Sequence, residues 1–115
     1  MGLVKQQVDF DAVLAGAVYD TIRYCLGETN AEIIRDFLEK RGLPLALVSC
    51  NPELFSEELR NIVGFGRRQI LGGASILEET ILELLCKRLG LKLVCARPVN
   101  FALEVRRLRK QFGKV

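Results

Sequence analysis

Apolar residues recur at three- and four-residue spacing through most of this chain, the period of helix faces turned toward a core. The first such run is Phe10, Val13, Leu14, Ala17, Val18, Thr21, Ile22, Cys25 and Leu26. It predicts a helix from about Lys5 to Leu26, capped by Asp9 or Asp11 and ended by Gly27. Gly16 lies inside it, which fits close approach of a neighbouring helix. Thr29-Asn30-Ala31-Glu32 reads as a capping box opening a second helix to Arg41, with Ile33, Ile34, Phe37 and Leu38 apolar. So short a connection predicts a tight helical hairpin. Asn51-Pro52 pairs a capping side chain with proline at the first helical position, and Leu54, Phe55, Leu59, Ile62 and Val63 form the stripe that follows, up to Gly64. Ser75-Ile76-Leu77-Glu78 is a second capping box, opening a helix whose Leu77, Ile81, Leu82, Leu85 and Leu89 face inward. One longer helix over Gln69–Leu89 is the alternative. Pro98 or Asn100 opens the last helix, striped by Phe101, Val105, Leu108 and Phe112.

Two segments lack this period. Leu43–Cys50 is apolar and short, and fits either one helical turn or an extended piece. Leu91–Ala96 alternates, which fits a short strand that would need a partner. The expected architecture is therefore all-α, a compact bundle of about five helices in one domain over residues 1–115, with one short β segment near 91–96 as an option.

Charge divides the chain into a body, 1–96, and a basic last helix, 97–115. The second part carries six cations (Arg97, Arg106, Arg107, Arg109, Lys110 and Lys114) against Glu104, whereas residues 1–96 hold 11 basic and 13 acidic side chains. The overall net charge of +3 conceals this split. No apolar run approaches the roughly 20 residues of a membrane span. The N-terminus lacks a signal-peptide core, and Gln6 stands where a myristoylation signal wants Ser or Thr, so the expected location is intracellular, in the cytoplasm.

Chemistry-bearing residues are few. There is no histidine, and Cys25, Cys50, Cys86 and Cys95 form no C-x-x-C pair, so a zinc site is not expected. Cys25 and Cys86 fall at or beside apolar helix faces and read as buried free thiols; disulfide pairing is the other option. The Gly64–Gly73 connector has no G-x-x-x-x-G-K-[ST] pattern, although Arg67 and Arg68 could hold an anion beside the next helix start. Carboxylates are accounted for by caps and helix dipoles, which leaves no acid–base set; no enzymatic activity and no cofactor are expected.

The stretch Asn51-Pro52-Glu53, Phe55, Leu59, Ile62 and Gly64, then Leu77-Glu78, Ile81, Leu85, Leu89 and Gly90, resembles a family of small archaeal helical domains of unknown biochemical function. Such domains occur as output domains of response regulators and as stand-alone proteins. The resemblance covers about residues 26–91 and implies a helical fold in a signalling or regulatory setting. It carries no catalytic residues.

The favoured reading is a regulatory or structural protein-interaction module, a homodimer whose interface includes Phe101, Val105, Leu108 and Phe112. The alternative is a nucleic-acid-associated protein, with Arg106, Arg107, Arg109 and Lys110, joined by Arg67 and Arg68, neutralising phosphates. A membrane surface is the least favoured partner, because the apolar face of the last helix is narrow.

Overall fold

The computed structural model describes residues 9–63, 73–92 and 100–113. Among these are five α-helices and no strand: α1 (Phe10–Leu26), α2 (Glu28–Lys40), α3 (Pro52–Val63), α4 (Gly73–Leu89) and α5 (Phe101–Gly113). A single 3-10 turn, Leu45–Leu47, lies between α2 and α3, so residues 43–50 take the helical-turn option rather than the extended one. Leu91 and Lys92 are irregular; the rest of the strand option, and the Arg67-Arg68 turn, lie outside the described residues.

Three of the helix starts follow the local chemistry. The Asp9 carboxylate accepts from the Asp11 N–H at 3.1 Å, Asn51 Oδ1 from the Leu54 N–H at 3.2 Å and Asn100 Oδ1 from the Leu103 N–H at 3.0 Å. Each satisfies an N–H that has no carbonyl partner inside the helix. The first capping box does not form, however. Gly27, at φ 97° and ψ 157°, is both the C-cap of α1 and the N-cap of α2, with no side-chain cap. Thr29 is therefore already inside α2, and Asn30 Nδ2 donates instead to the Leu26 carbonyl at the end of α1, at 2.8 Å. The helix α4 starts at Gly73, upstream of Ser75, and Glu78 is buried.

At the centre, α1 lies along α4. Gly16 and Asp20 sit beside the Arg88 guanidinium, while Thr21 and Tyr24 share a groove with Thr80 and Leu84, so the two helices run in opposite directions. A methyl added at Gly16 would lie 3.4 Å from Arg88 Nη1, which is the close helix approach expected there. Against this pair, α2 packs on α1, while α3 and α5 pack on α4 and on each other. Leu14, Ala17, Val18, Leu38, Phe55, Leu59, Ile81, Leu82, Leu85 and Leu108 are closed off from solvent and make one contiguous core. At about 25 cal/mol per Å² of apolar surface, such burial is the dominant favourable contribution to folding.

Polar clasps tie the outer helices to this core. Arg41, at the end of α2, meets the buried Glu58 of α3 at 3.3 Å and stacks on its own helix's Phe37 ring at 5.2 Å. Arg35 of α2 lies over Tyr19 of α1 at 5.5 Å.

Candidate functional site

The last helix was expected to present an apolar stripe to a partner and a basic side to solvent. Its apolar stripe is instead taken up within the chain. Phe101, Val105 and Leu108 are buried, with Phe101 2% exposed and its ring centroid 5.3 Å from that of Phe55 in α3. Phe112 packs on Phe10 of α1 at 6.0 Å. A residue enclosed this way in its own core cannot at the same time form a partner surface.

The basic side is also engaged. Arg106 makes a two-pronged pair with Glu53 at the start of α3, Nη2 to Oε1 at 2.8 Å. This pairing holds the Glu53 carboxyl below the usual carboxylate range and raises Arg106 further. Arg107 binds Glu104 on its own helix through Nε at 3.0 Å and Nη2 at 2.8 Å. Arg109 donates to Asp11 Oδ1 and to Ser49 Oγ, each at 3.1 Å, and lies 5.8 Å over the Phe10 ring. The Ser49 hydroxyl in turn donates to Asp11. Arg106 and Arg109 fasten α5 to α3, to α1 and to the turn before α3. Lys110 is exposed and holds no ion pair among the described residues.

Between α3 and α4 lies a buried polar pair. Ser56 Oγ donates to Glu78 Oε2 at 2.5 Å, with Glu78 2% exposed. Burial pushes the Glu78 carboxyl above its ordinary range, against the opposing pull of the Ser56 bond and of the Arg60 charge. The folded state therefore holds the Glu78 proton more tightly than the unfolded chain does. Its stabilising contribution is complete below the ordinary carboxylate pKa and is lost as pH rises through the folded value. Glu78→Gln keeps an acceptor for Ser56 and removes the charge. At pH 7 it is expected to raise the melting temperature by roughly 4 °C, the shift that about 1 kcal/mol produces in a chain near 100 residues. The advantage should shrink toward zero below pH 4, and a variant less stable than wild type at pH 7 would contradict this account.

Cysteines give no cluster. Cys86 is buried as expected, but Cys25 is exposed, although it continues the face of Thr21 and Ile22 into the last turn of α1; Cys50 is exposed too. Cys25 and Cys50 are free thiols, and Cys95 lies outside the described residues. Among the described residues no three His, Cys, Asp or Glu side chains gather as metal ligands.

Among the described residues a groove of about 630 Å³ lies between α1 and α4. Leu84 and Thr21 line it, and the Thr21 Oγ1, buried, finds no hydrogen-bond partner among the described residues. Tyr24 stands beside it, 90% exposed, and Ile76, one turn before Thr80, is 51% exposed. Around the rim, Asp20 is paired with Arg88 at 2.7 Å and Arg23 at 3.8 Å. Glu83 and Lys87 also line the groove, exposed on α4, and hold no ion pair among the described residues. Sequence reasoning missed this surface. One signal was available: Ile76 and Leu84 are apolar yet fall outside the inward stripe of their helix, so α4 is apolar around more of its circumference than one core face requires.

Among the described residues no helix is long and apolar enough to cross a membrane. Comparison with known protein families, with characterised proteins and with solved structures finds no match to this chain.

Proposed function

We propose that this chain is a non-enzymatic interaction module of the cytoplasm that works by self-association, with the groove between α1 and α4 as its contact surface. The observation that carries this reading is the company Tyr24 keeps. A large aromatic ring 90% exposed stands at an apolar-floored groove that Leu84 also lines, and Ile76 is exposed on α4 one turn before the groove's Thr80. Exposed aromatic and aliphatic side chains around a concavity are the kind of surface that partner chains cover, and tyrosine is among the residues enriched there. The resemblance of residues 26–91 to response-regulator output domains supports a regulatory setting for such an assembly.

Contact with nucleic acid through α5 has less to draw on. Arg106, Arg107 and Arg109 already face carboxylates of the chain, and phosphate binding there would first have to displace them. A non-enzymatic role is supported by the buried carboxylates, each of which has a structural neighbour: Glu58 with Arg41, Glu78 with Ser56 and Glu104 with Arg107.

Light scattering behind size exclusion tests the assembly. The wild-type chain is expected at near twice its own mass, and Tyr24→Asp near its single mass, with an unchanged far-ultraviolet circular dichroism spectrum. Since Tyr24 is so exposed, the substitution leaves the fold intact. A wild-type chain that remains at single mass at the highest concentrations rejects the proposal.

A further inference from the structure

The groove's charges point to the direction in which the two copies meet. Resting on the self-association reading above, we infer that the α4 helices of two copies pack antiparallel across a two-fold axis, with Glu83 of each facing Lys87 of the partner subunit.

Glu83 and Lys87 are one helical turn apart, both exposed, on the ridge of α4 that also carries Ile76 and Thr80. Asp20 is shared by Arg88 and Arg23 within the chain. Glu83 and Lys87 are exposed and hold no ion pair among the described residues, so both are open to a partner. In a two-fold contact the same patch is used by both copies, so the patch must complement itself. An acid and a base one turn apart on a single helix do this in only one sense. If the two helices ran parallel and in register, Glu83 would face its own counterpart and Lys87 its own. Run in opposite directions about an axis midway between them, each Glu83 meets Lys87 of the partner subunit, and two ion pairs form at once. Leu84 lies almost level with that axis, so the apolar floor of one groove is brought against that of the other. Such pairs add little affinity singly; their effect is on register and direction.

Charge reversal tests the arrangement. Glu83→Lys makes a chain basic at both positions, and Lys87→Glu one acidic at both. Each variant alone is expected to dimerise about tenfold more weakly than wild type, since both contacts become repulsive. An equimolar mixture of the two is expected to recover wild-type affinity as a heterodimer, because every contact again joins opposite charges. Sedimentation equilibrium at 50 mM salt reads all three samples, and 1 M salt should compress the differences. A dimeric wild type whose variants, alone and mixed, all associate equally overturns the antiparallel α4 pairing and leaves self-association standing. A monomeric wild type overturns both.

Discussion

Phe101→Ala is expected to lower the free energy of unfolding by about 3–5 kcal/mol, the range for removing a buried aromatic ring from a closed core. The ring is 2% exposed and tilted against Phe55, and it is where α5 enters the space beside α3 and α4. Deleting it removes the transfer free energy of its carbons and leaves a cavity. It also removes a ring–ring contact worth about 0.5–1.5 kcal/mol beyond the area buried. Urea denaturation of variant and wild type at two protein concentrations checks this. The loss should be the same at both, because the ring belongs to the chain's own core. A loss below about 1 kcal/mol, accompanied by a change in mass instead, would return Phe101 to the role of partner contact.

Gly27→Ala is the second large effect, with an expected cost of about 1–3 kcal/mol. At φ 97° and ψ 157° this residue occupies backbone space that side-chain-bearing residues rarely enter, and no neighbour lies within 4 Å of an added Cβ. The cost is therefore conformational and owes nothing to crowding. One residue has to end α1 and begin α2, so the strain has no adjacent loop in which to relax. Thermal unfolding beside Gly16→Ala separates the causes. Gly16 is in the interior of α1, where alanine is favoured by up to about 1 kcal/mol and its methyl only touches a movable guanidinium. Equal melting temperatures for the two variants would show that Gly27 is not constrained by its backbone.

Much of this fold was legible in the residues. The stripes of α1, α3, α4 and α5 mark most of what is buried, and Asp9, Asn51 and Asn100 cap where their chemistry suggests. The failures have a common physical origin. Thr29 carries a capping motif that is sound locally, but a helix that has already begun at Gly27 bonds the N–H groups this side chain would have capped. Gly27 shows that a backbone turn can open a helix without any side-chain cap. The stripe of α5 was recognised as apolar, yet periodicity shows only that a face is covered and says nothing of whether its own chain or another covers it. Arg106 and Arg109 look like a free basic patch until Glu53 and Asp11, 53 and 98 residues distant, are brought beside them. The α1–α4 groove was invisible for the same reason. Tyr24 and Leu84 become neighbours only through the packing of helices far apart in sequence.

That pairing also has a bearing on the order of events as the chain folds. Asp20 and Arg88 are 68 residues apart, and the helices that hold them form the most extensive pairing among the described elements. Closing so long a loop costs entropy before any contact rewards it, although the cost grows only with the logarithm of loop length. Helical proteins that fold fastest do so through neighbouring hairpins. Here α1 with α2, α3 with α4 and α4 with α5 are neighbours in sequence that pack on each other, whereas α1 and α4 are not neighbours. The contacts among α3, α4 and α5 join helices close in sequence, whereas the α1–α4 contact has to close the long loop. The closure of α1 on α4 is therefore the step of assembly at which loop entropy weighs most, and it joins the locally packed helices into a single shared core.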